Sequence, residues 1–97
     1  WELSRVARYK SQDMVDNRYF SHTSPTYGTP FQMIRSFGLS YRSAGENIAY
    51  GQRTPQAVVN AWMNSSGHRA NILSSSYTQI GVGYVANGHY WTQMFIG

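Results

Sequence analysis

Ninety-seven residues form one compact domain at most, so a site between domains is excluded and any function must sit within a single fold spanning 1–97. The chain has no cysteine, which excludes disulfide staples and thiolate metal centres, and it carries 15% aromatic against 12% charged residues, which excludes a disordered chain. Net charge is +4, but Arg5, Arg8, Lys10, Arg18, Arg35, Arg42, Arg53 and Arg69 are scattered without a run, so a basic patch can arise only through folding and nucleic-acid binding is not expected.

In chain order, Leu3, Val6, Ala7, Met14 and Val15 recur at spacings near three and four, which predicts an amphipathic helix over 3–17. Trp1 opens the sequence without a cap, as though the chain were cut inside or just before a helix. From Tyr19 to Thr29 a loop restricted by Pro25 and Gly28 carries His22. Thr29-Pro30 reads as a helix start and Gly38 as its stop, with Phe31, Ile34 and Phe37 between them. The stretch Ala44 to Gly51 is expected to be a strand.

Thr54-Pro55 repeats the helix-start grammar, and that helix runs to about Asn64 with Val58, Val59, Trp62 and Met63 as its apolar face. A further short helical piece covers Gly67 to Leu73, followed by a serine-rich loop. Asn87-Gly88 predicts a type I′ hairpin turn. Counting outward pairs Tyr84 with Trp91, Val82 with Gln93 and Ile80 with Phe95 on one face, and places Gly81 and Gly83 on the other. Those glycines leave room for close approach, so helices are expected on both faces of a small antiparallel sheet. No apolar run reaches the roughly 18 residues of a membrane span. No signal-peptide pattern occurs in these residues; because processing removes such a signal, export of a precursor stays open.

Three histidines and four carboxylates limit the acid-base and metal chemistry on offer. His22, Glu46 and His68 together are the donor set of an open zinc site, two imidazoles and one carboxylate. Their separations match no local metal motif, and isolated histidines among Ser, Asn and Gly are more often hydrogen-bonded loop residues. Glu46 lies in an apolar, glycine-flanked segment, where a carboxylate must be paired or exposed. Ser24 and Ser65 are the candidate nucleophiles beside the histidines, but no G-x-S-x-G elbow accompanies them.

The ordered succession Phe20-Ser21-His22-Thr23-Ser24-Pro25, Ala44-Gly45-Glu46-Asn47-Ile48-Ala49, Thr54-Pro55 with Trp62, Gly67-His68-Arg69, Ile80-Gly81-Val82-Gly83 and Tyr90-Trp91-Thr92-Gln93 resembles bacterial CAP-domain proteins. These are the SCP-like extracellular branch of the cysteine-rich secretory, antigen five and pathogenesis-related superfamily. The resemblance implies an α+β fold, an α-β-α sandwich around a small antiparallel sheet, here lacking a first helix. It implies a cavity in which His22, Glu46 and His68 hold zinc or another divalent cation, with Asn47, Ser65 and Arg69 around them. A second glutamate usual in the family is replaced by Ser65, so weak binding is expected.

The function so implied is a secreted or cell-surface binding module for an ion, a small molecule, a lipid or a cell-wall component, with a protease-like hydrolase as the alternative. Loss of the first helix should leave the 3–15 helix and the sheet partly bare, and the chain then self-associates through that surface.

Overall fold

The first helix, α1 (Glu2–Asp16), presents Leu3, Val6, Ala7 and Met14 as a fully buried stripe. Lys10, Ser11 and Asp13 lie in the same buried face, so this helix carries polar groups into the core as well as apolar ones. The computed structural model describes residues 2–97; Trp1, where the sequence begins uncapped, lies outside the described residues. A loop then leads to α2 (Pro30–Ser36), whose start is a reciprocal capping box between Thr29 and Gln32. Gly38, at φ 86°, ends it.

Strand β1 (Ala44–Tyr50) follows, then α3 (Pro55–Met63), capped by Thr54, and α4 (Ser66–Leu73). The hairpin β2 (Gln79–Val85) and β3 (Tyr90–Ile96) completes a three-stranded antiparallel sheet of order β1-β3-β2. The hairpin register matches the count from sequence, with Tyr84 opposite Trp91 and Ile80 opposite Phe95. The turn itself differs. Gly88 (φ 82°) and His89 (φ 54°), rather than Asn87 and Gly88, take the left-handed conformation. The four-residue turn 86–89, closed by His89 N–H donating to the Ala86 carbonyl at 3.1 Å, lets His89 fold its ring against Tyr84.

Helices lie on both sheet faces. On one, α1 and α2 bury Met94 and Ile96 together with Leu3, Val6, Ala7, Met33 and Ile34. Gly81 and Gly83 sit directly under α1, where a Cβ would strike the helix backbone at Leu3–Ser4 and Ala7–Arg8. On the other face, Val58 and Trp62 of α3 pack against Ala49 and Trp91, with Ile72 of α4 alongside. Of the four residues expected to form the apolar face of α3, only Val58 and Trp62 are buried, and Val59 is exposed.

The apolar face of α1 is not left bare, as the sequence suggested, because the sheet and α2 cover it. Exposure falls instead on Ile80, Val82 and Tyr84 of the edge strand β2, beyond the reach of α3 and α4.

Candidate functional site

The site forms along β1, the other edge of the sheet. Alternation along this strand sends Glu46 to the α1 face and Asn47 to the α3–α4 face. The His22 loop approaches from the first side and α4, carrying His68, from the second. Two residues adjacent in sequence therefore reach groups from opposite layers.

Glu46 is buried, its side chain 1% exposed, and its Oε1 lies 2.8 Å from Nδ1 of His22, a ring left 53% exposed at the surface. Glu46 Oε2 is buried without a hydrogen-bond partner. Burial raises the Glu46 pKa, while the His22 hydrogen bond and the Lys10 charge pull against that rise. The His68 pKa is lowered, first by burial and then by the nearby His22. Both effects favour the neutral ring, which keeps one ring-nitrogen lone pair for a ligand.

The three donors singled out in the sequence are brought to one edge of the sheet, but not into a ready coordination shell. Among the described residues no three His, Asp or Glu side chains are grouped closely enough to hold a metal as they stand. His22 and Glu46 are bonded to one another. His68 instead lines a cleft of about 310 Å³ together with Ser65, Trp62, Phe20, Tyr50 and Gln52. Gln52 Oε1 is a second buried acceptor without a partner.

Asn47 orients this region. Its amide donates to the His68 carbonyl at 3.1 Å and to Gln93 Oε1 at 3.0 Å, and its own Oδ1 accepts from Asn71 at 2.9 Å. Ser65 lines the cleft and caps α4 without a side-chain bond. Arg69 does not join the cluster. It is exposed, and its backbone N–H bonds the Ser65 carbonyl as an ordinary helical contact. The helix turns its side chain outward, so adjacency to His68 in sequence misleads.

Sequence reasoning missed the groups that hold the His22 loop. Lys10 Nζ, buried inside the fold, donates to the His22 carbonyl at 2.9 Å. Asp13 accepts from Ser24, Tyr19, Thr26 and Asn17. The signal was present, since Lys10 and Asp13 fall within the apolar stripe of α1, where a charge must have a partner. Asn71 was equally findable, three residues after His68 and hence on the same helix face. Ser24 is no nucleophile in this arrangement: its hydroxyl donates to Asp13 and accepts from the Thr26 and Tyr27 amides.

Comparison with known proteins places this architecture. Residues 2–95 match the CAP family, the cysteine-rich secretory protein family. The Bacillus subtilis protein YkwD is 66% identical over 95 residues, covering 98% of this chain and 37% of that protein. A Bacillus subtilis membrane protein, YlbC, is 43% identical over 93 residues, covering 96% of this chain and 26% of its own length. The chain therefore spans between a quarter and two fifths of these relatives.

An extracellular SCP-domain protein of Bacillus anthracis superposes with a TM-score of 0.93 at 41% identity, covering 98% of this chain and 31% of that one. An outer surface protein of Borrelia burgdorferi does so with a TM-score of 0.88 at 26% identity, covering 98% and 72%. Among the described residues no helix is long and apolar enough to cross a membrane.

Proposed function

This chain belongs to the CAP, or cysteine-rich secretory protein, family, and from that premise we propose that it is an extracellular or cell-surface binding module. The β1 edge that carries the His22–Glu46 pair and, beside it, the His68 cleft takes a divalent cation or a small polar ligand, weakly. The extracellular and outer-surface descriptions of the Bacillus anthracis and Borrelia burgdorferi relatives support the location.

One observation carries the ligand reading: Glu46 Oε2 is a buried carboxylate oxygen with no partner, and a native fold rarely tolerates such a group without a purpose. The donors fit zinc by chemistry, two imidazoles and a carboxylate. A divalent cation bound there would add positive charge beside the buried carboxylate. The arrangement also sets the strength. His22 Nδ1 is engaged with Glu46 Oε1, which leaves Nε2 as the ring nitrogen that can serve as a donor, while Ser65 offers a hydroxyl where a second carboxylate would add charge. With Glu46 as the one carboxylate in the donor set, binding is weak and exchangeable.

The pH dependence has a definite sign. Binding requires neutral imidazoles and an ionised Glu46. Because the Glu46 pKa is raised, its protonation begins at higher pH than for an ordinary carboxylate, so affinity falls as the solution is acidified. Isothermal titration with zinc should show at least about a tenfold loss between about pH 7.5 and about pH 5.5. The His22→Ala plus His68→Ala variant should lose the binding at both values. Zinc affinity untouched by that double substitution places the ion elsewhere and removes the reading.

A further inference from the structure

A second, wider cleft of about 720 Å³ opens on the other side of Phe20 and Tyr50, which line both cavities and form the ridge between them. Its wall is a row of three aromatic rings. Phe20 meets Tyr50 edge-on at 4.7 Å between centroids, and Tyr50 stacks on its cross-strand neighbour Tyr90 at 5.5 Å and 20°. Phe20 is 44% exposed and Tyr50 55%. Rings that served only to clip the His22 loop to β1 would bury more of themselves. Gly88 keeps the far end open, because a Cβ there would press on the Tyr90 ring at 2.8 Å. Around the aromatic wall stand Asp16, Arg18 and Asn87.

We propose that this cleft binds a saccharide chain, with pyranose rings laid on the Phe20–Tyr50–Tyr90 wall and their hydroxyls bonded to Asp16, Arg18 and Asn87. A sugar ring presents apolar C–H faces and hydroxyl edges, and a flat aromatic wall beside donors and acceptors of both signs complements that pattern. A lipid tail would need a closed apolar slot, and this cleft is open and carries both Asp16 and Arg18. A polyanion would meet Arg18 as its one cation, with Asp16 opposing it. His22, Glu46 and His68 do not line this cleft.

The test titrates the chain with chitohexaose, following backbone amide shifts by nuclear magnetic resonance. Saturable shifts are expected at Tyr50, Asn87 and Gly88. Tyr50→Leu and Phe20→Leu should each weaken binding by about tenfold, the scale of one lost stacking contact, whereas Tyr50→Trp should hold or tighten it. Should a leucine variant fail to fold, Tyr50→Trp decides, since a tenfold loss on enlarging the ring contradicts stacking. The His22→Ala plus His68→Ala variant should bind the saccharide normally while losing zinc, so failure of one site is distinguishable from failure of the other. An absence of shifts at roughly 10 mM saccharide, a concentration that would reveal binding as weak as about −3 kcal/mol, overturns the proposal. So does an affinity that both leucine variants leave unchanged.

Discussion

Asp13 shows how much of this molecule depends on one polar residue in an apolar stripe. Burial alone would raise its pKa, but hydrogen bonds from Ser24, Tyr19, Thr26 and Asn17 outweigh burial and hold it below the usual carboxylate range. A depressed folded pKa contributes stability that is present above the unfolded value of about 3.9 and is lost as pH falls through the folded one. The Asp13 contribution should therefore persist at neutral pH and fade below about pH 4. Asp13→Asn is expected to cost about 1.5 to 3 kcal/mol at neutral pH, the worth of hydrogen bonds to a charged group. It should also flatten the acid limb of urea-denaturation midpoints. Equal stability of variant and parent at about pH 7 and about pH 3 would show that the network does not hold the His22 loop.

At the scale of elements, the contact between α1 and β2 is set by the absence of side chains. Gly83→Ala would drive a Cβ into the α1 backbone at Ala7–Arg8, and neither helix nor sheet yields cheaply there. A loss of about 2 kcal/mol or more is expected, as for other overpacked sites. Gly67 is the control, since it lies in α4 with nothing within 4 Å of its would-be Cβ and no left-handed φ. Gly67→Ala should instead gain about 0.5 kcal/mol by restricting the unfolded chain. Guanidinium denaturation of the two variants tests both signs, and a Gly83→Ala chain as stable as the parent would mean that α1 can lift from the sheet.

Across the whole molecule, Ile80, Val82 and Tyr84 form an exposed apolar stripe on an edge strand. Ser4 Oγ accepts from the Val82 N–H at 3.3 Å, so part of the strand edge is covered while its side chains remain bare. An uncovered stripe of this kind promotes association. Sedimentation velocity should show the chain moving toward a dimer as concentration rises, and Ile80→Lys plus Val82→Lys should leave it monomeric. A parent chain that sediments as a monomer throughout would show that the stripe is inert.

The sequence by itself determined the elements, because their signals are local. Thr29-Pro30 and Thr54-Pro55 start helices wherever they occur, and alternation from Asn87-Gly88 outward fixed the hairpin register even though the turn placed its left-handed residues one position later. Order of motifs also revealed the family, and with it His22, Glu46 and His68. Tertiary structure alone decided what those residues contact. Strand alternation sent Glu46 toward α1 and Asn47 toward α4, while the packing of loop and helix joined His22 to Glu46, kept His68 on a separate cleft and turned Arg69 to solvent. It also gathered Phe20, Tyr50 and Tyr90, far apart in sequence, into one wall. Helix caps and turns are governed by neighbours a few bonds away, whereas a site on a sheet edge depends on which layers meet there, and that is settled only when the whole core packs.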